Sequence, residues 1–330
     1  MEKYPMYSRR TLLQSSVLSA VGAGWCLDAQ AQQETYPSKP VQVVIPFPPG
    51  GIVDNVFRAI SPSLSAALAQ PLVVDNKPGA GGSIGAGVVA KARPDGHTLL
   101  MVFDTFAVNP LLYKLPFDAA RDLTPIALLC TSPLAMVVPA ASPANTFSEW
   151  MALAKSKPGA LNYASTGAGS SNQLAAELFK MTSGIEINHI PYKGGAPAIT
   201  DLIGGQVDVM FVSTSSVLGH IRAGKLKALA VTSKHRIPQL PGVPSVSEFY
   251  PAFEVRSWVG MLAPAQVPPA IIQQLNDELR KVFQKPDVRQ FFQGQALDIA
   301  VGSPAQFGEF LKGETERWAE VIRKANIKVD

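Results

Sequence analysis

A chain of 330 residues, 47% hydrophobic and 16% charged, has apolar material for a large core and length for two domains of common size. Its 29 basic and 25 acidic residues leave a formal charge of +4, spread without a basic run, so nothing in the charge supports nucleic-acid binding. Two cysteines and four histidines without metal-ligand spacing exclude a disulfide framework and give no metal or cofactor signature.

The first 31 residues read as a cleaved export signal of the twin-arginine type. Ser8-Arg9-Arg10-Thr11-Leu12-Leu13 carries the arginine pair, the run from Val17 to Leu27 is apolar, and Ala29-Gln30-Ala31 is a small-residue cleavage site. Cys26 follows the bulky Trp25, which suits a lipid anchor poorly, and it leaves with the signal. Cys130 lies in an apolar run and is expected to be buried and inert. No later segment reaches the roughly 18 apolar residues of a membrane span. The expectation is a soluble, periplasmic protein.

After the signal, Val41–Ile45 has the composition of a buried strand and runs into Pro46-Phe47-Pro48-Pro49-Gly50-Gly51-Ile52-Val53-Asp54. Prolines stiffen that loop while the glycine pair leaves it conformational freedom. A helix with Val56, Ile60, Leu64 and Leu68 in register follows, and Pro62 is expected to kink or split it. Leu72–Asn76 and Thr98–Phe103 are the next strands. The first runs into Lys77-Pro78-Gly79-Ala80-Gly81-Gly82-Ser83 and a helix, the second into a polar turn at Asp104-Thr105. Three strand–loop–helix units in succession predict a parallel sheet covered by helices, with the three loops gathered at its carboxyl end, where ligands bind.

Ile126–Val138 is a long apolar run, expected to cross between domains. Thr146-Phe147-Ser148-Glu149 is a capping box for a helix that buries Phe147, Trp150, Met151 and Ala154. The plan then repeats. A strand ending near Ser165 leads through Thr166-Gly167-Ala168-Gly169-Ser170 into a helix carrying Asn172, Gln173 and Leu174. Ile187–Tyr192 leads into Lys193-Gly194-Gly195-Ala196-Pro197. Val207–Val212 and Ala228–Thr232 are further strands. Trp258–Ala263 reads as a second crossing, and the end is helical, with Ser303 capping the last helix and Pro304 opening it.

The stretch from Tyr163 to Glu177 gives the chemistry. A glycine turn entering a helix leaves its first amide groups pointing outward, the helix dipole adds positive potential, and serine and threonine hydroxyls crowd the same spot. That is a seat for an anion. An ordinary helix cap explains the same residues, and the repeated glycine loop in the first half is what favours a binding role. Asp208, set within a predicted strand, either supports the pocket or caps a neighbouring loop.

Catalytic readings fare worse. Gly81-Gly82-Ser83-Ile84-Gly85 has the form of a nucleophile elbow, but Lys77 to Ala80 separate it from the strand end, and none of His189, His220 or His235 has a supporting context. No complete dinucleotide fingerprint occurs. An exported serine hydrolase using Ser83 or Ser170 is the alternative reading.

Seven motifs follow one another along the chain: Tyr36-Pro37-x-Lys39-Pro40, Pro46-Phe47-x-Pro49-Gly50-Gly51-x-x-Asp54, Asn76-x-Pro78-Gly79-Ala80-Gly81-Gly82, Pro94-Asp95-Gly96, Ser165-x-Gly167-x-Gly169-Ser170, Pro191-Tyr192-Lys193-Gly194-Gly195, and Asp201-Leu202-x-Gly204-Gly205-Gln206-Val207-Asp208. In this order they resemble the Bug-type, TctC-like extracytoplasmic receptors of tripartite tricarboxylate transporters. The resemblance implies an α/β, two-lobed Venus flytrap of the periplasmic-binding-protein fold, each lobe a helix-covered, mainly parallel sheet, joined by crossing hinge strands. One lobe would hold residues 36–134 plus 257–330 and the other 135–256. It implies a monomeric, non-enzymatic receptor for a small organic carboxylate, without metal or cofactor, serving membrane transporter subunits.

The expected ligand contacts of lobe one are Phe47, Pro49, Gly51, Asp54, Gly81, Gly82 and Thr105. Those of lobe two are Ser165, Thr166, Gly169, Ser170, Asn172, Gln173, Tyr192, Gly194, Ala196 and Asp208. Two positions depart from the family's pattern: Ile52-Val53 stands where Pro-Thr is common, and Gln173 where histidine is common.

Overall fold

A computed structural model describes Met1 and residues 36–329; the twin-arginine segment and the cleavage site at Ala31 lie outside them. Contacts divide the chain into Met1–Ser38 and Lys39–Asp330, and the elements below belong to the second unit. No helix of the described residues is long and apolar enough to cross a membrane.

The first three strands form where their sequences demand burial: β1 (Val41–Ile45), β2 (Leu72–Asn76) and β3 (Thr98–Phe103). They pair in parallel, β1 against β2 from Val41↔Leu72 to Ile45↔Asn76, and β1 against β3 on its other edge. Between them run α1 (Ile52–Leu68) and α2 (Ser83–Ala90). Val56, Ile60 and Leu64 of α1 are fully buried, and the helix continues unbroken through Pro62. Each such side chain contributes roughly 1.5–3 kcal/mol by leaving water.

After β3 the chain enters α3 (Thr105–Leu112), a helix the sequence reading placed as a turn. Next comes β4 (Leu123–Pro139), longer at both ends than expected. Its first part pairs antiparallel with β9 (Arg256–Pro264), from Leu123↔Pro264 to Pro133↔Arg256. From Leu134 onward it changes partners, to β7 (Val209–Ser213) on one edge and β8 (Leu226–Val231) on the other. Pro133 has no N–H to donate, and it stands where the ladder changes hands. A two-residue strand, β10 (Asp298–Ile299), also borders β4.

The second parallel group comprises β5 (Leu161–Ser165), β6 (Ile187–Pro191) and β7, with β5 between the other two. Its helices are α4 (Phe147–Ser156), α5 (Ser171–Ser183), α6 (Gly195–Ile203) and α7 (Thr214–Arg222). Thr146 caps α4 by accepting from Glu149 N at 3.2 Å, while Glu149 reaches back to Asn145 N at 2.7 Å, one residue earlier than the usual box.

The return to the first sheet is made earlier than Trp258–Ala263. Thr232 ties it down: its hydroxyl accepts from Leu134 N at 2.8 Å and donates to Val255 O at 2.6 Å. β9 itself lies wholly between β3 and the first part of β4. The chain ends in α8 (Pro269–Val282), α9 (Pro286–Gly294) and α10 (Pro304–Ala325), the last opened by a complete capping box at Ser303. Phe307 of α10 packs edge-on against Trp258 in the first core. Trp318, Val321 and Ile322, further along the same helix, join the core around Trp150, Phe179 and Phe211. The last turns of α10 therefore pack against the core of the second parallel group.

Candidate functional site

The strand order β2-β1-β3 brings the loops after Ile45, Asn76 and Phe103 to one end of the sheet. Asn76 Nδ2 donates to Phe47 O at 3.0 Å, and the Phe47 ring meets Phe103 edge-on at 5.9 Å. Gly82, at φ +95°, lies so close that a β-carbon there would stand 3.2 Å from Phe47 Cζ and 3.4 Å from Pro46 Cγ. Gly81 O accepts from Thr105 Oγ1 at 2.8 Å and from Asn109 Nδ2 at 2.9 Å, which ties the glycine loop to α3. Phe47, Gly81, Gly82 and Thr105 thus form one cluster, with Pro49 and Gly51 exposed on the neighbouring loop.

Asp54 is buried in the first turn of α1, where one carboxylate oxygen accepts from Gly50 N at 3.0 Å and Arg58 Nε at 2.7 Å. Burial pushes its pKa up, but the Arg58 and Gly50 bonds outweigh burial and hold it below the usual value. Its role in the structure is to close its own loop.

The second cluster stands at the carboxyl ends of β5 and β6. Ser170 caps α5: its hydroxyl donates to Gly167 O at 2.7 Å and receives Gln173 N at 3.4 Å. Thr166 Oγ1 donates to Asn172 Oδ1 at 2.7 Å, and Asn172 Nδ2 donates to Phe211 O at 2.5 Å. Gly169 N donates to Gln173 Oε1 at 2.8 Å. Tyr192 N donates to Ser165 O at 2.9 Å, and a β-carbon at Gly195 would lie 3.9 Å from Thr166 Cγ2. Gly194 and Ala196 flank that glycine at the start of α6, and the Tyr192 hydroxyl is engaged by Asp201 at 2.9 Å. After this accounting, the amides of Ala168, Ser171 and Asn172 have no protein acceptor among the described residues, the last two because they open a helix.

Asp208 does not join this cluster. β7 begins at Val209, so Asp208 precedes a parallel strand and lies at the opposite end of the sheet. There its carboxylate accepts from Asn162 N at 2.7 Å. Capping a neighbouring strand is the role its geometry gives it.

The two loop systems meet across α3. A β-carbon at Gly169 would overlap Leu112 Cδ1 and stand 3.5 Å from Val108 Cγ1. Asp104, the residue before α3, is buried, and neither carboxylate oxygen has a hydrogen-bond partner. Burial is the main cause that pushes its pKa up to about 8, and the charge of Glu314 adds to it; the Ser171 hydroxyl and Thr105 amide face it and oppose the shift without completing a bond. At pH 7 this carboxyl is protonated, so it sets no negative charge beside the first turn of α5.

A family described as "Tripartite tricarboxylate transporter family receptor" matches residues 56–327. The chain belongs to this family of receptors. Among solved structures, the periplasmic binding protein BugD is 34% identical with a TM-score of 0.79, covering 89% of this chain and 99% of BugD. Rpa4515 of R. palustris with adipate is 30% identical with a TM-score of 0.83, covering 89% and 99%. MatC from Rhodopseudomonas palustris with bound malate is 31% identical with a TM-score of 0.78, covering 87% and 100%. The receptor therefore has the two-lobed α/β fold of periplasmic binding proteins, as the motifs implied.

Three residues that touch the two loop clusters were not singled out as candidate contacts in the sequence. Asn109 and Leu112 lie on α3, which has a proline inside it and only a short apolar pattern. His189, read as structural, touches the Ser165–Ser170 loop and the helix it enters: its Nε2 stands 2.6 Å from Ser165 Oγ and its Nδ1 3.3 Å from Gln173 Nε2.

The hydrolase reading finds no footing in this geometry. Ser83 Oγ is buried without a partner, and Ser170 Oγ donates to a carbonyl. Ser165 does meet a histidine, but its residue is fully buried, its hydroxyl already donates to Gly167 O, and an amide rather than a carboxylate faces the far ring nitrogen, so the acid that orients the base in a hydrolytic triad is missing.

Proposed function

We propose that the receptor binds a small organic acid, a mono- or dicarboxylate, with one carboxylate on the Ser165–Ser170 loop and the first turn of α5. The observation that carries this reading is the set of unclaimed amides at Ala168, Ser171 and Asn172, in a stretch with no lysine or arginine between Tyr163 and Phe179. Neutral dipoles hold the anion there, each contributing on the order of 0.3–2 kcal/mol, which suits a ligand that must later be released. Phe47, Gly81, Gly82 and Thr105 face the ligand from the other loop system. Adipate and malate in the related structures support the ligand class.

In this reading residues 36–134 with 257–330 form one lobe and 135–256 the other, and they close around the acid. The change of partners along β4 at Pro133 supports that division, with the last turns of α10 reaching across to the second core. The mature protein, cut near Ala31, works as a monomer in the periplasm, turns over no substrate, and hands its ligand to membrane subunits of a tripartite tricarboxylate-type transporter. Mass spectrometry of small molecules carried through native purification tests the class: an organic acid in stoichiometric amount supports it, and a neutral or cationic ligand there refutes it.

A further inference from the structure

The hydrogen bonds around His189 have a single consistent direction. Gly169 N–H can only donate, so the Gln173 atom it meets at 2.8 Å is the amide oxygen, and the amide nitrogen is turned toward His189 Nδ1 at 3.3 Å. Nδ1 must then accept, which puts the ring proton on Nε2, where it donates to Ser165 Oγ at 2.6 Å. The serine hydroxyl in turn donates to Gly167 O at 3.2 Å and receives Gly167 N at 3.1 Å. Neutral His189 thereby sets the conformation of the loop through both of its nitrogens.

A second proton breaks this pattern. With N–H on both ring nitrogens, Nδ1 faces the donor end of Gln173, and donor meets donor. Rotating the Gln173 amide restores the bond to His189 and removes the acceptor from Gly169 N–H. One more amide is then free for an anion, with a positive ring beneath it. We propose that His189 is a positioning residue that couples protonation to ligand binding through Gln173, so that a proton on His189 and a carboxylate on the loop favour one another. This rests on the Ser165–Ser170 loop being the carboxylate seat.

The titratable groups facing His189 are few. Tyr163 of β5 stacks on the ring at 4.9 Å. From α5, Glu177 accepts from the Tyr163 hydroxyl at 2.6 Å and pairs with Lys180 at 3.0 Å. Burial is the main cause that lowers the His189 pKa from its usual value, with Lys180 acting the same way and Glu177 against it, so the ring is neutral at pH 7. Asp104 titrates near 8, outside the window in which His189 charges.

The test has a limb that needs no ligand. In nitrogen-15 NMR of the unliganded protein, His189 should be the Nε2–H tautomer at pH 7, and the Gly169 amide should shift with the midpoint of the ring. Gln173→Leu should leave His189 titrating while the Gly169 amide no longer follows it. A Gly169 amide indifferent to the His189 midpoint in the wild type overturns the proposal. In the second limb, malate and adipate are titrated calorimetrically from pH 7.5 to 5. The ratio of wild-type to Gln173→Leu affinity, in which the ligand's own ionisation cancels, should rise several-fold as pH falls. A flat or falling ratio also overturns the coupling. If neither acid binds the wild type at any pH, the ligand reading fails instead, and the NMR limb still decides whether the relay exists.

Discussion

Gly169 lies against Leu112, joining the Ser165–Ser170 loop of the second strand group to the helix that follows the first. A β-carbon at Gly169 would push aside Leu112 Cδ1, the end of that side chain, and φ at Gly169 is +74°, a conformation in which a side chain costs on the order of 1–3 kcal/mol. Sequence alone suggested only that glycine lets a ligand approach. The structure adds that it lets α3 approach.

Gly169→Ala is therefore expected to lower the unfolding temperature and to weaken malate or adipate binding at least tenfold. Adding Leu112→Ala relieves the overlap but not the backbone strain. Binding should recover further than stability in the double variant, as read by calorimetry beside thermal unfolding. Equal recovery of both would mean that the overlap with Leu112 is not what costs binding.

Asp104 gives a pH dependence with a definite sign. Below about pH 3.8 both folded and unfolded chains keep its proton, and its burial costs nothing extra. Between there and about 8 the unfolded chain has released the proton while the folded one retains it, so this group's contribution is lost as pH rises, at no more than about 1.4 kcal/mol per pH unit. Above 8 the loss is complete. Asp104→Asn should match the wild type near pH 4 and exceed its stability increasingly up to pH 8, then by a constant margin. Urea denaturation at pH 4, 6, 8 and 9 checks this, and a constant gap throughout would refute it.

Ser170→Ala removes the hydroxyl that caps α5, and the cost should fall on stability, about 1 kcal/mol, the usual value of a helix cap. Because that hydroxyl is already committed to Gly167 O and Gln173 N, malate and adipate affinity should drop by less than in Gly169→Ala. A larger drop would show that Ser170 contacts the ligand directly.

Ser83 Oγ is buried with no partner, so Ser83→Ala removes an unsatisfied group and should be neutral or slightly stabilising. Wild-type protein should take no label from a serine-directed fluorophosphonate. Labelling that vanishes in Ser83→Ala would restore the hydrolase.

Much of this was legible in the sequence, and the failures have physical causes. β1, β2 and β3 begin and end at the residues expected, because short apolar runs bounded by proline, glycine and polar turns have few other solutions. The glycine loops were found for the same reason. Asp208 was read as either a pocket residue or a cap, and strand direction separates the two: whether the strand starts at Val207 or at Val209, the carboxylate stands at its amino end, while the glycine loops stand at the carboxyl ends. α3 was missed because Asp104-Thr105 resembles a turn and Pro110 interrupts the pattern, and with it went Asn109 and Leu112. The contact between Ser165 and His189 depends on the register that sets Tyr163 opposite His189, which no local pattern reveals.

Calorimetric titration of the purified receptor with malate and adipate, beside their uncharged diamides, tests the central claim most directly. The account predicts saturable binding of at least one acid at a single site and no detectable binding of the matching diamide. Equal affinity for acid and diamide would show that no carboxylate is seated on the first turn of α5.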